Sequence, residues 1–434
     1  MTPRHRPKIH GAPATDALLD YAGLNRHEIG PSAEQLADWA ATGLELPDVV
    51  AMRQFRIDRL REQLRANDCD GALLHDTLMI RYATDTCNMP VWTMHNEVRH
   101  CFVATDGPVV MFEFSKGEFL DAHSHVIDEF RPARSLHPFY VGNRIDEQAK
   151  RWARNMAELI GEHARNDRPR LAIDTLTLDG VRALEAEGIE VIPGMQMFED
   201  ARLIKGPDEL KAMRCAIDAC NRNIDDMRAV FEPGVTEIEL FATMQKSNLL
   251  RFGEWMECRI LASGERTNPW YQEASNKPVA AGEIMAFDTD MVGAYNMCVD
   301  ISRSWVCGDV APNANQRDVY GRALDMIERN IPQFRAGRTY REITDDLSYP
   351  PIDRWHGYTV LAHGVGLCDE YPSFFVREQW DDDGFDDVLQ AGTVLCVESF
   401  VGSRDGGEGV KLEEMILVTD GEPELLSDYP LDLA

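Results

Sequence analysis

Acidic residues set inside hydrophobic, strand-forming runs constrain this chain more than any other feature. Asp288 and Asp290 close the run Ile284 to Asp290, and Glu398 stands in Val394 to Ser399. Buried together, such carboxylates repel one another and lose their hydration unless cations sit among them. With Asp300, His363 and Glu413 they make six residues spaced for a site that holds two divalent ions.

The spacing predicts hairpins. Asp288 and Asp290 are two apart, so a strand points both to one face. Gly293 and Asn296 mark a turn, and the returning run Cys298 to Ser302 brings Asp300 to that face. Glu398 and Glu413 flank the turn Ser403-Arg-Asp-Gly-Gly-Glu-Gly, one glutamate on each strand. His363 lies in Leu361-Ala-His-Gly-Val-Gly-Leu, where Gly364 and Gly366 let the backbone turn beside a ligand. Oxygen donors with a single imidazole suit manganese, iron(II), cobalt or magnesium better than a sulfur-rich zinc site does. Any one of these acids reads equally well as a hairpin rim or a surface salt bridge, and it is the set of six that points to metal.

Composition narrows the partners. The 434 residues, 44% of them hydrophobic, suffice for two or three domains. Against 44 basic residues stand 74 acidic ones, and the net charge of -30 repels nucleic-acid phosphates and anionic membranes. An acidic surface of this kind is a solubility device, common in saline-adapted organisms. Met1 to Leu18 lacks the apolar core of a signal peptide and no 18-residue apolar run occurs, so a cytoplasmic protein is expected. The ten cysteines form no Cys-x-x-Cys pair and read as reduced, mostly buried thiols.

Residues 1–45, with Pro3, Pro7, Gly11, Pro13 and Gly30, read as an arm. Residues 46–200 alternate helices and strands, as a small α/β domain does. A helix is predicted over 47–67 with Val50, Ile57, Leu60 and Leu64 on one face, and others over 147–165 and 178–187. Strands are expected at 71–75, 101–104, 109–114, 171–174 and 189–192. In 201–434, Arg202-Leu-Ile-Lys-Gly-Pro-Asp-Glu opens a helix with Pro207 in its first turn, where the missing N–H costs nothing. Thr236 with Glu239 and Thr339 with Glu342 repeat one capping-box pattern, a hint of internal duplication.

From about Arg202 to Val418 the chain resembles the pita-bread metallopeptidase family of aminopeptidase P, prolidase and methionine aminopeptidase. The likeness lies in Arg-Leu-Ile-Lys-Gly-Pro-Asp-Glu, the pair Asp290 and Asp300, His363-Gly-Val-Gly, and Glu398 and Glu413. It implies an α/β (α+β) fold: a pita-bread catalytic domain at 201–434 behind a smaller creatinase-like α/β domain at 46–200, usually in a homodimer. Two departures stand out. Asp290 and Asp300 are one residue closer than the family's usual pair, with Asp288 as an added carboxylate. Beyond Ala262-Ser-Gly, where the peptidases often place a histidine, the chain has Arg266-Thr-Asn-Pro-Trp270. In these it is similar to the DddP-type dimethylsulfoniopropionate lyases, which form dimethyl sulfide and acrylate. The similarity extends over nearly the whole chain through Tyr82-Ala-Thr-Asp-Thr-Cys-Asn-Met, Trp92 with His95-Asn96, and His363-Gly-Val-Gly-Leu-Cys-Asp-Glu. It implies that Asp288, Asp290, Asp300, His363, Glu398 and Glu413 all bind the metal pair. Iron is the implied metal, and manganese, cobalt, zinc and nickel also suit the donors. Asp369 is implied as the base and Tyr358 as a pocket residue.

The residue chemistry fits a lyase. Four carboxylates balance two divalent ions and leave a position for the hydroxide a peptidase uses; the fifth, Asp288, favours the substrate's own carboxylate there, and elimination over hydrolysis. Elimination needs a base outside the metal ligands, and Asp369 follows His363 closely enough to reach back, its pKa raised by like charge. A fixed sulfonium cation binds aromatic faces at about 0.5–2 kcal/mol each, with Trp92, Trp270, Tyr358 and Tyr82 as candidates. Tryptophan or tyrosine at any one position is as readily core. The expected partner is a small zwitterion, and the other reading is an Xaa-Pro dipeptidase or aminopeptidase on the same scaffold.

Overall fold

The structure, a computed structural model, describes residues 8–9 and 31–433. Two compact units divide the chain, Met1–Ile29 with Asp48–Arg202 and Gly30–Pro47 with Leu203–Ala434. Most of the arm expected over 1–45 lies outside the described residues. Its described helix, Ala33–Thr42, belongs to the second unit, where Trp39 is buried and donates through Nε1 to Asp218 at 2.8 Å.

Among the described residues the first unit has seven strands: β1 (Lys8–Ile9), β2 (Gly71–Leu74), β3 (His100–Ala104), β4 (Val109–Glu113), β5 (Glu129–Pro132), β6 (Arg170–Ile173) and β7 (Glu190–Pro193). They lie in the order β1-β5-β4-β3-β2-β6-β7. Only the β2–β3 and β3–β4 pairs are antiparallel. The central strands β2, β3 and β4 are buried along their whole length, as continuous apolar runs covered on both faces must be. Leu73, Phe102 and Val110 pack against Trp152, Met156, Leu159 and Ile160 of the helix Ile145–His163. The helix Val49–Ala66 is capped by Asp48 and buries Ile57, Leu60 and Leu64. Val50, predicted on that face, lies in its first turn and stays exposed.

In the second unit the helix Pro207–Arg228 begins as its sequence predicts, with Glu209 accepting from the Gly206 N–H. Thr236 and Glu239 cap the helix Glu237–Leu250, and Thr339 and Glu342 cap Tyr340–Asp346, each through a reciprocal pair of bonds. Three sheets follow. The strands β8 (Leu261–Ser263), β9 (Ile284–Phe287) and β12 (Arg303–Val306) form one, and β10 (Met291–Val292) with β11 (Cys298–Val299) a second. In the third, β15 (Asp369–Phe375), β14 (Val360–Val365), β16 (Val394–Ser403), β17 (Gly409–Leu417) and β18 (Glu424–Leu425) lie in that order, with β13 (Trp355–Gly357) paired to β16.

Strand periodicity sorts the two faces of the third sheet. Leu395, Val397, Val401, Val410, Leu412 and Ile416 pack on Val319, Ala323 and Ile327 of the helix Ala314–Asn330. Alternation therefore turns Cys396, Glu398, Lys411 and Glu413 to the other face. Among the described residues, no helix is long and apolar enough to cross a membrane.

Candidate metal centre

Glu398 and Glu413 are direct cross-strand partners on β16 and β17, and His363 on β14 pairs with Cys396. The His363 Nε2 lies 3.3 Å from Glu398 Oε1, 3.7 Å from Glu413 Oε1 and 3.6 Å from Asp300 Oδ2. Gly364 serves this arrangement by close approach, not by turning as the sequence suggests: a Cβ there would meet the Tyr371 carbonyl at 2.4 Å. At Gly366 a Cβ would meet the Glu370 carboxylate at 2.5 Å.

Asp288 and Asp290 converge differently from the predicted regular strand. β9 ends at Phe287, before either residue, and Asp290 has φ 35°, in the left-handed region. Here the ladder breaks, and the Thr289 hydroxyl takes its place, donating to the Val299 carbonyl and accepting the Ile301 N–H, each at 2.8 Å. The irregular backbone thereby aims Asp288, Asp290 and Asp300 at one another.

Two overlapping groups result. The ligand atoms of Asp288, Asp290 and Asp300 lie within 4.8 Å of one another, and so do those of Asp300, His363, Glu413 and Cys396. Five of the six residues singled out from the sequence belong to these groups, with Asp300 shared, and Glu398 adjoins them through its contact with His363 Nε2. The donor set fits divalent cations: both glutamates are buried, and Glu398 Oε1 and Glu413 Oε1 have no hydrogen-bond partner. A buried carboxylate oxygen in that condition costs free energy that a cation removes.

Protonation follows from the crowding. Burial, with Asp288 and Asp369 nearby, pushes Asp290 up to about 8, and burial with Glu413 pushes Glu398 up to about 8 against the pull of Lys411. Burial and the neighbouring acids also raise Asp300 well above its ordinary range, whereas Lys411 and His363 overcome burial to hold Glu413 low. A carboxyl raised on folding stabilises the protein below its unfolded pKa, and that contribution is lost as pH rises through the folded value. The metal-free protein should therefore lose stability between about pH 4 and pH 8, while bound divalent ions, which displace those protons, should hold it up. Thermal melts with and without manganese at about pH 5.5 and pH 8.5 should show the larger metal-induced rise at the higher pH.

The sequence reading missed Lys411. Its side chain is fully buried, with Nζ 2.9 Å from Glu398 Oε2, 2.9 Å from Glu413 Oε2 and 3.3 Å from Asp288 Oδ2. The signal was present, since Lys411 stands two residues before Glu413 and strand alternation puts both on one face. Its charge cancels that of the fifth carboxylate, so the expectation that Asp288 by itself disfavours hydroxide does not hold.

A cavity of about 210 Å³ opens onto the acids, its wall including Tyr358, Asp369, Glu257 and Cys258. Asp369 begins β15, with its side chain 48% exposed and Oδ1 3.7 Å from His363 Nδ1. Crowding by the surrounding protein raises its carboxyl above the usual range, His363 opposing and Glu413 adding to the effect. Trp270 is buried against Phe400 and Ala286, its ring facing Lys411. The two other aromatic candidates belong to the first unit. Tyr82 is a core residue there, 2% exposed, its hydroxyl donating to the Ala201 carbonyl at 2.8 Å, so within that unit its ring has no face to offer a ligand. Trp92 sits in an aromatic cluster with Phe114, Phe139 and Tyr140.

Similarity to known proteins follows the same division. Residues 56–204 match the creatinase/prolidase N-terminal domain, and residues 211–420 match metallopeptidase family M24. The fold is that of the Xaa-Pro dipeptidase from Bacillus anthracis, with a TM-score of 0.69 at 22% identity over 88% of this chain and 99% of that one. The dimethylsulfoniopropionate lyase DddP of Roseovarius nubinhibens is 40% identical over 94% of this chain and 93% of its own length. The chain belongs to the DddP family. A second member, from Roseobacter denitrificans, is 39% identical over 95% of this chain and 93% of its own.

For this DddP chain the structure also explains the departure at Arg266-Thr-Asn-Pro-Trp270. Arg266 turns to the buried Glu237, which also accepts from the backbone N–H and hydroxyl of Ser263 and Ser275, tying down the loop that carries Trp270. Glu237→Ala should lower stability by about 3–5 kcal/mol, read as a shifted denaturant midpoint, because it leaves these donors and Arg266 without their acceptor.

Proposed function

We propose that this protein is a metal-dependent carbon-sulfur lyase that splits dimethylsulfoniopropionate into dimethyl sulfide and acrylate. The observation that carries this is the near-full-length identity with two DddP lyases. The site is chemically suited to it. Asp369, outside both ligand groups but in the cavity wall, takes the proton from the carbon next to the substrate carboxylate. The C–H electron pair becomes the second bond of C=C, the C–S bond breaks, and the sulfur keeps the C–S bonding pair and leaves as neutral dimethyl sulfide. Two divalent ions held by Asp288, Asp290, Asp300, His363, Glu398 and Glu413 would supply stabilisation of the charge that builds on the substrate carboxylate. Tyr358 lines the cavity beside them, and Trp270, packed with Phe400 and Tyr358 in the same unit, is a further candidate for the substrate's surroundings.

The resemblance to the DddP lyases supports iron as the native metal, one of several divalent ions that the donor set accepts, and family membership supports a homodimer. No disulfide joins any of the ten cysteines, which supports a reducing, cytoplasmic setting. The test is headspace detection of dimethyl sulfide from the iron-loaded protein, with proline release from an Xaa-Pro dipeptide measured alongside. Dimethyl sulfide without proline is the expected result; proline without dimethyl sulfide would replace the lyase with a peptidase.

A further inference from the structure

Every charged group within reach of the Lys411 ammonium belongs to the acid cluster. Besides the three carboxylates, Nζ lies 2.9 Å from Ser302 Oγ, and that hydroxyl is itself 2.6 Å from Asp288 Oδ1 and 2.8 Å from Glu413 Oε2. An ammonium has three hydrogens, so these neighbours saturate it. It touches one oxygen of each carboxylate. The second oxygens of the two glutamates, Glu398 Oε1 and Glu413 Oε1, face His363 Nε2 instead and carry no hydrogen bond. Above the ammonium lie two rings, Trp270 at 5.7 Å and Tyr358 at 5.4 Å from Nζ to the centroid.

We propose that Lys411 is a positioning residue: a resident counter-ion that grips one oxygen each of Asp288, Glu398 and Glu413 and presents the glutamates' remaining oxygens to the metal positions. This rests on the metal-dependent reading given above. In the metal-free protein the ammonium holds mutually repelling acids in their ligating geometry. In the loaded protein it offsets the charge that Asp288 adds to the other four carboxylates. Trp270 and Tyr358 then cover the protein's own cation, and a substrate sulfonium over the same faces would meet like charge there.

The consequence is an asymmetry between the two forms. Without Lys411 the metal-free site keeps five crowded acids with His363 alone to oppose them, whereas the loaded site is left with one uncompensated charge. The experiment compares wild type, Lys411→Met and Lys411→Met/Asp288→Asn, each stripped by chelation and each loaded with manganese(II), by melting temperature and by manganese content. Lys411→Met should lower the melting temperature of the stripped protein by about 10 °C and that of the loaded protein by less than half as much. The double variant, with the fifth acid neutralised too, should recover most of the loss in the stripped form. Equal losses in both forms, or a double variant no better than the single, would make Lys411 a packing residue and overturn the proposal. If Lys411→Met folds only with manganese while the double variant folds without it, the proposal stands; if neither folds, it fails. Wild type that takes up no manganese would instead remove the metal-dependent reading itself.

Discussion

Asp369→Asn should release dimethyl sulfide about 10²–10⁴ times more slowly than wild type, the usual contribution of a positioned general base, and keep its full complement of metal. Retention of metal follows from geometry. Asp369 belongs to neither ligand group. Nor does His363 depend on it for orientation, because His363 Nδ1 lies 3.0 Å from the Gly364 carbonyl and 3.7 Å from Asp369. The carbonyl fixes the tautomer that leaves Nε2 facing the acids. The raised carboxyl of Asp369 sets the pH profile: only the deprotonated form accepts a proton, so the acid limb of the wild-type rate should lie above the ordinary carboxylate range and be absent from the residual activity of the variant. Loss of metal together with loss of turnover would make Asp369 a supporting residue of His363, and undiminished turnover would end its role as the base.

The other large effect is expected at the shared aspartate. Asp300→Ala removes a member of both ligand groups, so both positions lose affinity, by more than the roughly 10–100-fold that loss of a mere supporting partner costs, and dimethyl sulfide release should fall to background. Asp288→Ala is a contrasting case. It belongs to one group alone, so metal content should change while Asp300, His363 and Glu413 keep their places. Stability moves the opposite way to metal affinity. Asp300 is buried and its carboxyl strongly raised, so at neutral pH its removal should leave the stripped protein no less stable than wild type while abolishing the rise on adding metal. Elemental analysis beside thermal melts separates the two effects, and an Asp300→Ala protein with two tightly held ions would contradict the assignment.

Much of the scaffold was legible because it is encoded locally. The helix starts at Pro207, Thr236 and Thr339 rest on bonds spanning three residues, and all three appear where the sequence puts them. The hairpin of Glu398 and Glu413 follows from alternation and a glycine-rich turn, and the two residues are in register. The break after Phe287 was not legible, because it depends on a threonine hydroxyl replacing ladder bonds with residues ten and twelve positions away. Nor was the place of Arg266, whose acceptor Glu237 lies 29 positions back along the chain.

The sequence by itself determined which residues form the acid site, since hydrophobic strand runs carrying carboxylates at fixed spacing leave them few other uses. Only the tertiary structure decided what surrounds that site: Lys411 neutralising Asp288 from 123 positions away, Trp270 and Tyr358 facing that lysine, and Tyr82 in a core. The physical reason is range. Side-chain direction along a strand is fixed by the backbone's own period, whereas the partner a buried charge or ring finds is fixed by which distant strands the packed core brings beside it.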